Sequence, residues 1–197
     1  TGLLLILEAL LDIFAVAERE GFKVRFRWVR RCFIQDADDL SKFVDPMDFS
    51  LAPDWLAYVR QRFGPWDVDR YASPSNATCS RFNALFDSVL VEGVNALTQD
   101  WRGSVSFVLP NFHEIDKILD IIERDDADAV LIVPEWPYQT WWRRLHSAAW
   151  ARRVAAWEFV SGAALIPNTQ DCFFGSHFTT RLLILRVRAV GSHAGTS

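Results

Sequence analysis

The sequence predicts an α/β protein built on a mostly parallel sheet. Strand-like and helix-like segments alternate from Leu51 onward. Ala129–Val133 is an unbroken apolar run ending at Pro134, as a strand buried on both faces requires. Asp69 closes the short strand Trp66–Asp69 just before a loop rich in Ser, Pro and Asn. Open α/β sheets hold ligands at such strand ends, which makes Asp69 the first candidate site residue.

The 197 residues suffice for one domain and part of a second. Half of them are hydrophobic, with nine Trp and fifteen Phe, so a packed core is expected rather than global disorder. A formal charge of −4 gives no global electrostatic case for nucleic-acid binding, which would need a local basic patch. Cys32, Cys79 and Cys172 have neither a zinc spacing nor a disulfide framework. They read as reduced thiols of an intracellular protein, cytoplasmic or nuclear. No apolar run is long enough to span a membrane, and Leu3–Leu11 lacks the basic start and cleavage site of a signal peptide. The chain opens on Thr1 inside a helical pattern, which suggests a piece of a longer polypeptide.

Leu3–Glu20 has helical apolar spacing and stops at Gly21. Lys23–Val29 alternates basic with apolar residues and predicts a half-buried strand, followed by Arg30 and Arg31. Asp36–Lys42 predicts a short helix with acids in its first turn. Phe43–Ser50 reads as a linker around Asp45-Pro46. Beyond it come a helix over Asp54–Arg62, the strand ending at Asp69, and a short segment near Phe82–Phe86. A strand over Ser104–Leu109 and an amphipathic helix over His113–Arg124 follow. The strand at Ala129–Val133 leads to a Trp-rich helix over Gln139–Ala149. Strands at Ala155–Phe159 and Arg181–Val190 close the pattern as an antiparallel edge or hairpin. His193–Ser197 reads as a frayed tail.

On spacing alone, Asp36, Asp38 and Asp39 fit a helix start better than a magnesium site, whose ligands come from several segments. Arg143, Arg144, Arg152 and Arg153 form the best basic cluster, a phosphate-contact candidate or a solvated helix face. Trp136, Trp141, Trp142, Trp150 and Trp157 can stack on bases, but helical spacing makes Trp142 and Leu145 better read as core. The four histidines show no metal spacing.

Leu3–Lys42 resembles the end of a ribonuclease H domain in a retroelement polyprotein. The run Gln35-Asp36-Ala37-Asp38-Asp39-Leu40-Ser41-Lys42 matches that domain's Asn-x-x-Ala-Asp-x-Leu-Ser-Arg/Lys signature. The resemblance implies Asp38 as its last metal-binding, catalytic carboxylate. The other acids would lie upstream, so magnesium is implied only if an intact ribonuclease H domain precedes this chain.

The second unit resembles the domain after ribonuclease H in DIRS-type (tyrosine-recombinase) retrotransposons. Val68-Asp69-Arg70-Tyr71-Ala72-Ser73 with Asn76, Arg81-Phe82, Asp100-Trp101 and Leu131-Ile132-Val133-Pro134-Glu135-Trp136-Pro137 occur in that family's order. It is also similar to the phage-type Dam adenine methyltransferases. These likenesses imply a Rossmann-like, methyltransferase-type sheet over about 51–192, after a ribonuclease H tail over 1–44 and a linker at 45–50. They imply S-adenosylmethionine as cofactor, held by Pro53 and Trp55 of the opening segment, Asp69, Ala72, Asn95 and Asp100. Expected partners are DNA or an RNA–DNA hybrid and the upstream reverse transcriptase region, with no membrane.

The catalytic motif of the methyltransferases is Asp/Asn-Pro-Pro-Tyr; here it is Leu109-Pro110-Asn111-Phe112. An exocyclic amine is a poor nucleophile and needs a side-chain oxygen and a proline carbonyl to orient it, with an aromatic under the flipped base. Leu109 cannot accept a hydrogen bond. Asn111, two positions on, returns to the same face in an extended segment. The expectation is a methyltransferase fold with degraded catalysis, Pro110, Asn111 and Phe112 being what remains of the motif. The alternatives are an active DNA adenine methyltransferase and part of a ribonuclease H completed by upstream sequence.

Overall fold

A computed structural model of the chain describes residues 2–21, 23–25, 49–85, 91–168 and 178–191. It divides into two units, Thr1–Phe43 and Val44–Ser197. In the first, α1 (Gly2–Glu20) stops at Gly21, whose φ of 72° suits glycine far better than any residue with a Cβ. Lys23–Arg25 adopts no strand, and the rest of the expected basic strand lies outside the described residues. So do Asp38 and its whole motif.

The second unit is α/β around a seven-stranded sheet. Its strands are β2 (Val68–Asp69), β3 (Arg81–Ala84), β4 (Gly93–Val94), β5 (Val105–Val108), β6 (Asp128–Pro134), β7 (Val154–Val160) and β9 (Leu182–Val187). They lie in the order β4-β3-β2-β5-β6-β9-β7. All pairings from β4 to β6 are parallel. β9 is antiparallel to both its neighbours. The chain thus builds outward through β2, β3 and β4, then returns to the far side of β2 with β5 and β6. That reversal puts a topological switch point between β2 and β5, where a crevice opens beyond the strand ends.

Local sequence accounts for the layers. Ala129–Val133 of β6 is wholly buried, as its unbroken apolar run requires. Helix α3 (Ile115–Arg124) buries Ile115, Ile118, Leu119 and Ile122, one face at helical spacing. Helix α2 (Pro53–Phe63) has proline in its first turn and stops at Gly64, whose N–H donates to the Arg60 carbonyl at 3.1 Å.

Three sequence expectations need correction. Phe49 and Ser50, read as linker, belong to β1 (Phe49–Leu51), which pairs antiparallel with β8 (Leu165–Pro167) in a separate two-stranded sheet. The single helix expected over Gln139–Ala149 is two, α4 (Thr140–Leu145) and α5 (Ala148–Ala151). The break falls at Ser147, whose hydroxyl accepts from the Trp150 N–H and caps the second helix. Several strands are also shorter than the apolar runs suggest; β2 keeps only Val68 and Asp69 of the expected four residues.

Arg70 is a buried hub that the apolar pattern conceals. Its guanidinium donates to Ser106 Oγ at 2.9 Å, Asn83 Oδ1 at 3.0 Å and Ser104 Oγ at 3.2 Å. It also lies over the Trp101 ring at 5.0 Å. Burial pulls its pKa down, because the charge has left water for neutral acceptors. Trp101 is fully buried, and its indole N–H donates to the Ala96 carbonyl at 2.9 Å. Trp101→Ala is expected to cost about 3–5 kcal/mol in urea unfolding. Tyr138→Ala, at a side chain 97% exposed, is expected to stay within about 0.5 kcal/mol.

Candidate functional site

The crevice at the switch point is built from three directions. β2 and β5 run parallel with Asp69 beside Phe107, which brings Asp69 and Leu109 to the same edge of the sheet. Between them is a cavity of about 40 Å³. The loop after β2 lines it with Tyr71, Asn76 and Thr78, and β1 covers it with Phe49, Ser50 and Leu51.

Asp69 is 2% exposed, and its own loop holds its carboxylate. Thr78 donates to Oδ2 through its hydroxyl at 2.7 Å and its N–H at 3.0 Å. The Tyr71 N–H donates to Oδ1 at 3.3 Å. Thr78 is in turn fixed from α2 and from the segment between α2 and β2: its hydroxyl accepts from the Trp66 indole at 2.9 Å and its carbonyl from Arg60 at 2.8 Å. Arg60 stacks over Trp66 at 4.1 Å. Asn76 closes the loop by accepting from the Ser73 N–H at 2.6 Å and the Ser73 hydroxyl at 3.0 Å. Tyr71 donates to Glu114 at 2.9 Å. Burial, reinforced by that carboxylate, pushes the Tyr71 hydroxyl far above its ordinary pKa.

The degraded motif sits on the opposite wall. Leu109, 7% exposed, lines the cavity, whereas Asn111 is not among the lining residues. Pro110 is buried, and Asn111 leads the short turn Phe112–Glu114. Phe112 is 3% exposed. Its ring stacks on Phe49 at 5.9 Å and 10°, meets Trp136 edge-on at 5.3 Å and packs against Phe178 at 5.6 Å. The surface expected to carry a flipped base is covered by the protein's own aromatics.

The other expected cofactor residues do not converge on the cavity. Pro53 and Trp55 lie in the first turn of α2, and Trp55 meets Tyr58 edge-on at 5.8 Å. Their neighbours Leu51 and Leu56 are the residues that reach the cavity. The Ala72 N–H bonds the Asn83 carbonyl at 3.1 Å. Asn95 follows β4 at the crevice edge of the sheet, with φ 59° and its side chain accepting from the Leu97 N–H. Asp100 precedes β5 and so stands at the other edge, exposed and paired with Arg102 at 2.9 Å. Its neighbour Trp101 donates its N–H to Asp125, which precedes β6 at that same edge.

Sites for cofactor-sized ligands run to about 300–1,000 Å³. A cavity of about 40 Å³, walled by Leu109 and by a carboxylate that already accepts three hydrogen bonds from its own loop, does not fit S-adenosylmethionine in this arrangement. Among the described residues no cluster of His, Cys, Asp or Glu can hold a metal ion. No helix there is long and apolar enough to cross a membrane.

The four arginines of the basic cluster separate into two kinds. Arg144 turns inward to Asp120 at 2.7 Å and Glu123 at 2.8 Å, and Trp150 also donates to Glu123 at 2.5 Å. Arg153 pairs with Asp126 at 2.6 Å. Arg143 and Arg152 remain exposed. Of the tryptophans, Trp141 and Trp150 are core, Trp136 and Trp142 half-buried, and Trp157 59% exposed.

Sequence reasoning missed Thr78, Tyr71 and Phe49. The one local signal at Thr78 is that it ends Asn76-Ala77-Thr78, a formal glycosylation acceptor. Its actual partner lies nine positions back, a distance no local rule reads.

No protein-family model matches the chain, and no curated protein matches it.

Asp69→Asn places an amide where Thr78 donates twice, leaving facing donors; it is expected to cost about 1–3 kcal/mol in chemical denaturation. The Glu123 carboxyl is held below its ordinary pKa, first by Arg144 and then, against desolvation, by Trp150. A depressed carboxyl contributes stability above its unfolded pKa and loses it as pH falls through the folded value. Thermal melts should therefore show a loss setting in as pH drops below about 4.5, the ordinary value for this carboxyl, and Glu123→Gln should shrink that acid limb.

Proposed function

We propose that the chain is an accessory module of a retrotransposon-type polyprotein. Its second unit is a methyltransferase-type domain that no longer turns over and acts in association with nucleic acid. The ordered motifs from Val68 to Pro137 support the family reading. A doubly wound sheet with its crevice at Asp69 and an antiparallel β9 toward the far edge agrees with a methyltransferase-type architecture.

One observation carries the loss of turnover: Leu109 lines the crevice at the position where the methyltransferase motif has Asp or Asn. Methyl transfer to an exocyclic amine needs an acceptor that draws the amine's hydrogens into line. A leucine side chain offers none. The two hydrogen bonds that Thr78 gives Asp69 and the ring cover on Phe112 point the same way. The ribonuclease H tail, with Asp38, belongs to this reading as the piece that joins the module to an upstream enzyme.

The expected outcome is no transfer of labelled methyl from S-adenosylmethionine to duplex DNA, single-stranded DNA or an RNA–DNA hybrid. Calorimetry should show no heat of cofactor binding. Label transfer that Phe112→Ala abolishes would establish the active enzyme instead. Tight cofactor binding lost in Asp69→Ala would overturn the degenerate reading.

A further inference from the structure

The rings outside the crevice form a second surface. Trp142 and His146 stand one turn apart at the end of α4, their rings 4.6 Å apart at 35°. Trp157 and Phe159 alternate on β7, so their side chains leave the same face of that edge strand. Phe159 lies 6.3 Å from Trp142 and 5.8 Å from Trp157. The four rings thus make a continuous ladder from His146 to Trp157, with both ends exposed. Arg181 places its guanidinium over Phe159 at 4.6 Å while gripping Glu135 at 2.7 Å.

Charge distinguishes what such a ladder takes. Arg143 stands one turn before His146, exposed and without an ion pair among the described residues. Arg152, just before β7, is likewise exposed and unpaired among them. The neighbouring Arg144 and Arg153 are bound to carboxylates, so the two free cations are the ones left to meet an anion. Rings spaced along a surface, with exposed arginines on the same helix and just ahead of the same strand, are the chemistry of a single-stranded nucleic-acid platform: bases stack on the rings and phosphates meet the cations. A duplex hides its base faces, and an apolar peptide would have no use for the arginines.

We propose that the ladder His146–Trp142–Phe159–Trp157, with Arg143, binds an unpaired nucleic-acid strand. This rests on the nucleic-acid association proposed above but assigns it to a surface distinct from the crevice.

Fluorescence anisotropy of the full chain with a labelled 15-nucleotide oligothymidylate, and with a duplex of the same length, tests it. The single strand should bind more tightly than the duplex. Trp157→Ala, at an exposed position, should keep the far-ultraviolet circular dichroism and weaken binding about five- to a hundredfold. Arg143→Ala should lower the slope of log affinity against log salt by about one, and Arg102→Ala should leave both unchanged. Single-strand binding that Trp157→Ala does not weaken would overturn the ladder while leaving nucleic-acid association standing. Equal or tighter duplex binding would overturn it too. No binding to any nucleic acid would remove both proposals. Self-association in sedimentation that Trp157→Ala abolishes, without oligonucleotide binding, would make this edge a contact between copies and overturn the platform.

Discussion

The hydrogen bonds between Asp69 and Thr78 fix the centre of the second unit. They turn the chain after β2 back on itself, so that the loop from Arg70 to Ser80 folds over the strand end instead of leaving it open. Arg60 and Trp66 brace Thr78 from behind, coupling the loop to α2. A buried carboxylate is tolerated only when it is hydrogen-bonded, and here backbone and hydroxyl donors from its own loop supply three bonds. The geometry therefore reads as a strand end held in place by the loop that follows it.

Much of the architecture was legible from the sequence. The apolar run of β6 and the one-sided apolar spacing of α3 each have a single reasonable reading, and both hold. The parallel sheet follows from the alternation of strands and helices, but its strand order, and so the switch point, does not. Illegible were the features that depend on partners distant in sequence. Phe49 and Ser50 look like linker because their β-partners lie more than a hundred positions away. The break between α4 and α5 turns on one hydroxyl that favours a cap over a continuing helix. Arg70 reads as an exposed residue of a polar loop, yet it packs inward because Ser104, Ser106 and Asn83 happen to face it.

The candidate site divided in the same way. Asp69 and Leu109 were placed by motif order and do meet across the crevice. Asp100 followed the same order but stands ahead of β5 at the opposite sheet edge, since a motif gives sequence position and not which end of a strand it borders. Composition gave the number of arginines and tryptophans but not their directions. Two arginines of one cluster serve the fold, and the exposed Trp157 differs from the buried Trp150 only in the element that carries it.

The position of β9 bears on how the chain acquires its structure. The last strand of the described sequence is not at the rim; it lies between β6 and β7, hydrogen-bonded to both along its length. During synthesis β7 would emerge with no neighbour and would wait for a segment some twenty residues later. Pairings across such separations close large loops before they are rewarded, which slows folding. Until β9 arrives, β6 and β7 both present open apolar edges, so the nascent domain would be most exposed to wrong association in the interval before β9 emerges.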